Sequence, residues 1–306
     1  MHVDQSFSTV LTFLNEYVIE IRTAGLSRDN KIFRKKENKY YLETLVWNLL
    51  FRLEAGAYHH DKVIDIVNMR LEELEGIKIS EKYLSPDFTG NMTSKVIIDC
   101  KATIFELIAF LVSIRSMLDS LTKIISFYLK DPKFHSIADL NKYLEKKYLK
   151  AEKPFPIEVF TIVNQHWIDW IEYLRDYRGD LVHELTISSS AEHEVRYIPC
   201  IQNGKKISKK IENVSNFFIP KDPKFEYILG GFDQELPFKE LTITHEQKNA
   251  DGAVVYRDVS IEKKIDENRM IEIKSFVNLY FEKAVVLVTE IITSLRKSRF
   301  TYLTLE

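Results

Sequence analysis

The sequence predicts a mainly α protein carrying a small antiparallel β insert, on three observations. Apolar residues recur at helical spacing through most of the 306 residues. That pattern gives way over 186–262 to short runs in which charged and β-branched residues alternate. The hydrophobic fraction is 45% and the aromatic fraction 12%, enough for a sizeable core and too much for global disorder. The expected organisation is an N-terminal helical segment at 1–98, a helical bundle core at 99–185, a β-rich insert at 186–262 and a closing helix at 263–306. The N-terminal segment either packs against the rest of the chain or stands as a separate module.

Val10, Leu11, Leu14, Val18 and Ile21 mark a first amphipathic helix, stopped by Ala24-Gly25-Leu26-Ser27. A charged connection from Arg28 to Lys39 leads to a second, with Leu42, Leu45, Val46, Leu49, Leu50 and Leu53 on one side. Ala55-Gly56 weakens its end, and Asp61 to Glu75 reads as a third helix. Glycines, Pro86 and a Ser/Thr-rich stretch then predict a loop from Gly76 to Ser94. From Lys101 to Leu129, Leu107, Leu111, Ile114, Leu118, Leu121 and Ile125 repeat at helical spacing, and Asp131-Pro132 ends the run. Ser136 to Lys150 is a lysine-rich helix; Lys146, Lys147, Lys150 and Lys153 either keep a face solvated or contact RNA.

In the insert, Val195 to Ile201 followed by Asn203-Gly204 predicts a hairpin, because Asn-Gly tolerates the positive φ of a tight turn. Phe225–Leu229, Leu241–Thr244 and Ala253–Ile261 are further strand-like runs, the last two joined through Asp251-Gly252. The insert ends at Asp266, a candidate N-cap region, before a long helix to about Arg296 whose broad apolar face includes Ile273, Phe276, Tyr280, Leu287 and Leu295.

Formal net charge is −2, which argues against coating nucleic acid by bulk charge but leaves room for a local basic face. Two cysteines, Cys100 and Cys200, give no disulfide framework and fit a reducing cytoplasm. The first residues lack the basic and apolar regions of a signal peptide, and no apolar run reaches the roughly 18 residues of a membrane span, so a soluble protein is expected. Tyr58-His59-His60-Asp61 holds two adjacent histidines that a helix points apart, and neither His-x-x-x-His nor Cys-x-x-Cys occurs. Gly230-Gly231 has no following helix to make a phosphate cradle, and no nucleophile elbow is present. No cofactor is called for.

The most informative stretch lies at the end of an amphipathic segment from Ile157 to Leu181. At about 100° per residue, Phe160, Trp167, Ile171, Leu174 and Leu181 fall on one stripe, and Arg178 falls on it too. A guanidinium among such neighbours calls for an ion-pair partner, a subunit interface or a ligand. An interface would be a homodimer burying Arg178 and part of the Trp167/Trp170 face. In an unbroken helix His183 would be turned about 140° away and raised roughly 7.5 Å. Either Gly179 breaks the helix, or a second copy of the chain brings the two groups together.

Arg178-Gly179-Asp180-Leu181-Val182-His183 resembles the motif of the HEPN superfamily, an arginine followed after four to six residues by a histidine. The resemblance spans roughly Cys100 to Leu185, with the C-terminal helix. It implies a HEPN-like helical bundle, a homodimer and a metal-independent ribonuclease of the kind found in toxin–antitoxin and antiviral defence systems. Arg178 and His183 would be the catalytic pair, duplicated about a two-fold axis. Active members often carry a polar residue after the arginine, where this chain has Gly179.

The chemistry suits RNA cleavage by the 2′-hydroxyl. A histidine transfers protons near neutral pH, and an arginine stabilises phosphorane charge through its bidentate fork. Arg115 and Asp119, at i and i+4, are either an ordinary intrahelical ion pair or a bundle-edge pair orienting the site. Asp180, Tyr177 and Glu184 adjoin the pair as supporting candidates or as plain packing and surface residues. The competing expectations are that Arg178 salt-bridges a carboxylate inside the bundle while His183 caps a helix end, and that the chain is a non-catalytic module binding a protein or nucleotide partner. The expected partners are RNA, a second copy of the chain, and an antitoxin or defence-system protein.

Overall fold

The structure, a computed structural model, describes residues 2–24, 36–77, 92–129, 134–150, 157–183, 190–202, 205–222, 238–248, 254–265 and 269–298. The fold is mainly α with a small antiparallel β portion, as the periodicity predicts. It divides into two compact units, the first formed by Met1–Asp61, Glu106–Val182 and Val277–Glu306, the second by Lys62–Phe105 and His183–Phe276.

The first unit is helical. Its elements come from α1 (His2–Ala24), α2 (Lys36–Gly76), α3 (Lys101–Leu129), α4 (Ile137–Lys150), α5 (Ile157–His166), a π-helical turn (Trp167–Ile171), α6 (Glu172–His183) and α7 (Ile273–Ser298). The stripes on α1, α2 and α3 are buried as expected, from Leu14 and Val18 through Leu42, Leu49 and Leu53 to Leu107, Leu111 and Ile114. Helix α2 is one helix of 41 residues, not two. Gly56 lies inside it, and a Cβ there would stand 3.3 Å from Ile114 Cδ1 and 3.7 Å from Phe281 Cε2. A glycine in a helix interior costs about 1 kcal/mol, but here its missing side chain admits two core residues, and tertiary packing overrides the local weakness. His60 ties α2 to α7 through Asn278 Oδ1 at 2.7 Å and stacks on Phe281. Ser136 caps α4: its Oγ accepts from the Asp139 amide at 3.2 Å and donates to the Asp139 carboxylate at 2.8 Å.

The second unit carries the strands. β1 (Met92–Asp99), β2 (Ser190–Gln202) and β3 (Lys205–Val214) form an antiparallel sheet in that order. The β2–β3 pairing closes at Gln202↔Lys205, the register that an Asn203-Gly204 turn requires. β1 corrects two expectations: the stretch up to Ser94 was expected as loop, and the N-terminal segment as helical throughout. Met92–Asp99 instead pairs along its whole length with Tyr197–Ser190. Thr93, Val96, Ile97 and Ile98 suit a strand, but single-sequence periodicity cannot show the edge that recruits them. β4 (Phe218–Pro220) pairs with β7 (Met270–Glu272), and β5 (Phe238–Lys248) pairs with β6 (Val254–Ile265). The long C-terminal helix therefore begins at Ile273, not directly after Asp266, because residues 270–272 are held by β4 and the Ile273 amide donates to the Phe217 carbonyl. Phe225–Leu229, Asp131-Pro132, the Asn203-Gly204 and Asp251-Gly252 turns and Asp266 lie outside the described residues.

Candidate functional site

Arg178 stands in the first unit at the edge of a groove of about 460 Å³, measured to include space open to solvent. The groove is walled by α3 (Leu111, Arg115, Leu118, Asp119), by the start of α4 (Ser136, Ile137, Ala138) and by the π turn with α6 (Ile171, Leu174, Arg175, Arg178). The π turn matters to this arrangement, since one wider turn shifts the phase of the helix after it. Ile171, Leu174 and Leu181 are buried, while Phe160, upstream on the ideal-helix stripe, is only half-buried.

The structure brings Arg115, Asp119 and Arg178 together, which sequence spacing alone left open. Arg115 and Asp119 form their i,i+4 pair at 3.8 Å, a long separation worth a few tenths of a kcal/mol. Burial holds the Asp119 carboxyl above the ordinary aspartate value, countered in part by Arg115, Lys123 and Arg178. Burial also lowers the Arg178 guanidinium from its usual value, Arg115 lowers it further, and Asp119 partly restores it. The Arg178 Nε is buried without a hydrogen-bond acceptor, and among the described residues Arg178 makes no ion pair. The expectation that it salt-bridges a carboxylate inside the bundle is therefore corrected: Asp119 acts on it by field and does not pair with it.

Arg175 lines the same groove but is already engaged. Its guanidinium lies 5.1 Å from the centroid of the Trp167 ring and 2.7 Å from Asp176 Oδ1. Tyr177 and Asp180 are buried. α6 continues without a break through Gly179 to His183, its last residue, so the helix break proposed for Gly179 does not occur. Among the described residues nothing lies within 4 Å of a Cβ built on Gly179, so none of them demands a glycine there. The side chain of His183 and the whole of Glu184 lie outside the described residues.

Trp167 and Trp170 were expected to form part of a face buried by a second copy; they are buried within the fold instead. Trp170 Nε1 donates to His166 Nδ1 at 2.8 Å, and its ring meets Tyr280 at 6.2 Å. His59 and His60 do point apart, His59 to Glu106 at 2.7 Å and His60 to Asp61 and Asn278. Among the described residues no group of three or more His, Cys, Asp or Glu side chains is placed to hold a metal ion, and no helix is long and apolar enough to cross a membrane.

Ser136, Ile137 and Ala138 are the groove residues that sequence reasoning did not single out. Ser136-x-x-Asp139 is a helix-start signature, so the element was legible; its position across from Arg178 was not. Compared with known proteins, the chain matches no family model, no curated protein and no solved structure.

Proposed function

We propose that this chain is a metal-independent endoribonuclease of the HEPN type, acting in the cytoplasm as a homodimer in phage defence or growth control. Arg178 stabilises phosphorane charge and His183 transfers the proton. The observation that carries this reading is the state of Arg178: a half-buried guanidinium with no ion-pair partner among the described residues, beside a second arginine, on an open groove. An uncompensated buried cation is costly, and a ligand phosphate supplies the missing charge and acceptors. The reading also rests on the motif resemblance. Because α6 is unbroken, an ideal helix turns His183 about 140° from Arg178, and a second copy of the chain is needed to place an imidazole at each phosphate. The same unbroken helix favours the second reading, a non-catalytic module in which Arg178 binds a nucleotide or protein partner without His183.

The test is incubation of purified protein with total RNA in excess EDTA. Cleavage should leave a 2′,3′-cyclic phosphate and a 5′-hydroxyl, because the substrate's own 2′-hydroxyl is the nucleophile. DNA should remain uncut. Arg178→Ala and His183→Ala should each abolish nearly all activity without adding, as groups acting in one transition state do. Strict dependence on Mg²⁺, 5′-phosphate products, or full activity in either variant would refute the assignment, and light scattering showing a monomer at micromolar concentration would refute the composite site.

A further inference from the structure

We propose that α2 carries an interface between copies of this chain, separate from the one proposed around Arg178. Four exposed aromatic residues, Tyr40, Trp47, Phe51 and Tyr58, form a line along the helix. The same line of a second copy packs against it antiparallel, about a two-fold axis at the level of Leu49. The proposal goes beyond the reading of Arg178 and stands without it.

The first half of α2 is apolar on two sides. One side buries Leu42, Leu45, Val46, Leu49, Leu50 and Leu53. On the other, Tyr40, Trp47, Phe51 and Tyr58 are 54%, 40%, 61% and 57% exposed. A surface helix turns polar residues outward, whereas one that is apolar all round is a helix to be buried. At about 100° per residue from Tyr40, Trp47 and Phe51 fall about 20° to either side of one line, and Tyr58 returns to it. The stripe is roughly 27 Å long. Helix α3 separates it from the groove beside Arg178. α2 meets α3 where His59 Nδ1 lies 2.7 Å from Glu106 Oε2 and where the Tyr41 and Phe127 rings stand 6.2 Å apart. Arg115, which lines the groove, follows nine residues after Glu106 and so lies about 180° around α3 from it.

The spacing names the occupant. Steps of seven, four and seven residues read the same in both directions. A two-fold axis between Trp47 and Phe51 therefore sets Tyr40 of one copy against Tyr58 of the other at both ends. At the centre Trp47 comes beside Phe51, the two offset to opposite sides of the line, so that the rings interdigitate in the offset arrangement aromatic pairs prefer. An isologous contact requires this self-complementarity, and a helix of unrelated sequence does not. Area is the second argument. With roughly half of each ring exposed, four aromatic side chains cover about 400 Å² per copy, or about 800 Å² across the pair. Thr44, Asn48, Arg52 and Glu54 are exposed on the flanks and extend the contact toward the roughly 1,200 Å² at which stable interfaces begin. An exposed apolar patch of this size marks a contact surface.

Light scattering and sedimentation of the full chain test the proposal. Phe51→Lys should keep the helicity and thermal midpoint of the wild-type chain and halve the mass at micromolar concentration. The concentration of half-association should rise at least about tenfold, because the lysine would be desolvated between aromatic rings without a counter-charge. Trp47→Glu should do the same, and serves if the lysine variant does not fold. A short bismaleimide then reads the register in a Cys200→Ser background, where Cys100 is buried. Tyr40→Cys chains mixed with Tyr58→Cys chains should cross-link, and neither should alone, since each residue lies roughly 27 Å from its own counterpart. A fall from four chains to two supports the α2 interface and leaves a two-fold contact for Arg178. A fall from two chains to one supports the α2 interface and removes the composite site. An unchanged mass in both folded variants overturns the proposal and gives the stripe to a different partner. Cross-linking of Tyr40→Cys alone overturns the antiparallel pairing.

Discussion

One cation of the helical unit departs from the way the sheet unit treats buried charge. In the sheet unit, three consecutive residues of β2 are buried and polar, Glu192, His193 and Glu194. Each has a counter-group: Lys95 for Glu192, Glu212 for His193 and Arg196 for Glu194. In the helical unit, Arg178 is half-buried with no ion-pair partner among the described residues, and the neighbouring Arg115–Asp119 pair is stretched to 3.8 Å. A paired buried charge is a structural solution; an unpaired one at an open groove is a cost that folding alone gives no reason to keep. The difference points to Arg178, and not to the more heavily charged sheet, as the place to seek function.

Substitutions put this contrast at risk, and the largest effect should come from the sheet. Lys95→Met removes the ammonium beside Glu192, whose side chain is 6% exposed. Urea denaturation should show a loss of about 3 kcal/mol. A loss under about 1 kcal/mol would mean that the sheet's pairs do not hold it together.

Arg178→Met should behave differently. Removing a desolvated cation that has no ion pair among the described residues should leave stability unchanged or raise it by up to about 1 kcal/mol, while RNA cleavage disappears. A fall in stability comparable to that of Lys95→Met would make Arg178 a structural residue and erase the contrast.

Asp119→Asn probes the helical unit through pH. Burial raises the Asp119 carboxyl, so between its unfolded and folded values the native chain holds more protons than the unfolded one, and stability falls as pH rises through that window. The asparagine variant lacks this loss. Its thermal midpoint at neutral pH should exceed wild type, by the equivalent of less than about 1 kcal/mol in stability because the carboxyl is 30% exposed. The difference should vanish below the ordinary aspartate range, and a lower midpoint at neutral pH would show that the Arg115 contact outweighs burial.

An effect of similar size should be at Gly179. A Cβ there meets no atom of the described residues within 4 Å, and the residue lies inside a continuous helix. Gly179→Ala should therefore stabilise by about 0.5–1 kcal/mol in urea melts. Destabilisation would show that α6 needs the freedom of a glycine after all.

The elements and the suspect arginine were legible in the order of residues alone. Helical periodicity marked α3 to the residue, because a buried stripe leaves its trace every three to four positions. The β2–β3 register followed from Asn203-Gly204, because turn chemistry is local. Arg178 stood out as a cation on an apolar stripe, since that conflict is visible within one helix. The remainder was settled by packing between distant parts of the chain. That Gly56 sits inside a helix follows from the approach of Ile114 and Phe281, residues more than fifty positions away. That Trp170 faces inward depends on His166 and Tyr280. That Arg178 shares its groove with Arg115, Asp119 and the start of α4 depends on how three helices pack. Periodicity reports that a face is buried, never which face buries it, and a binding groove is made of that second kind of information.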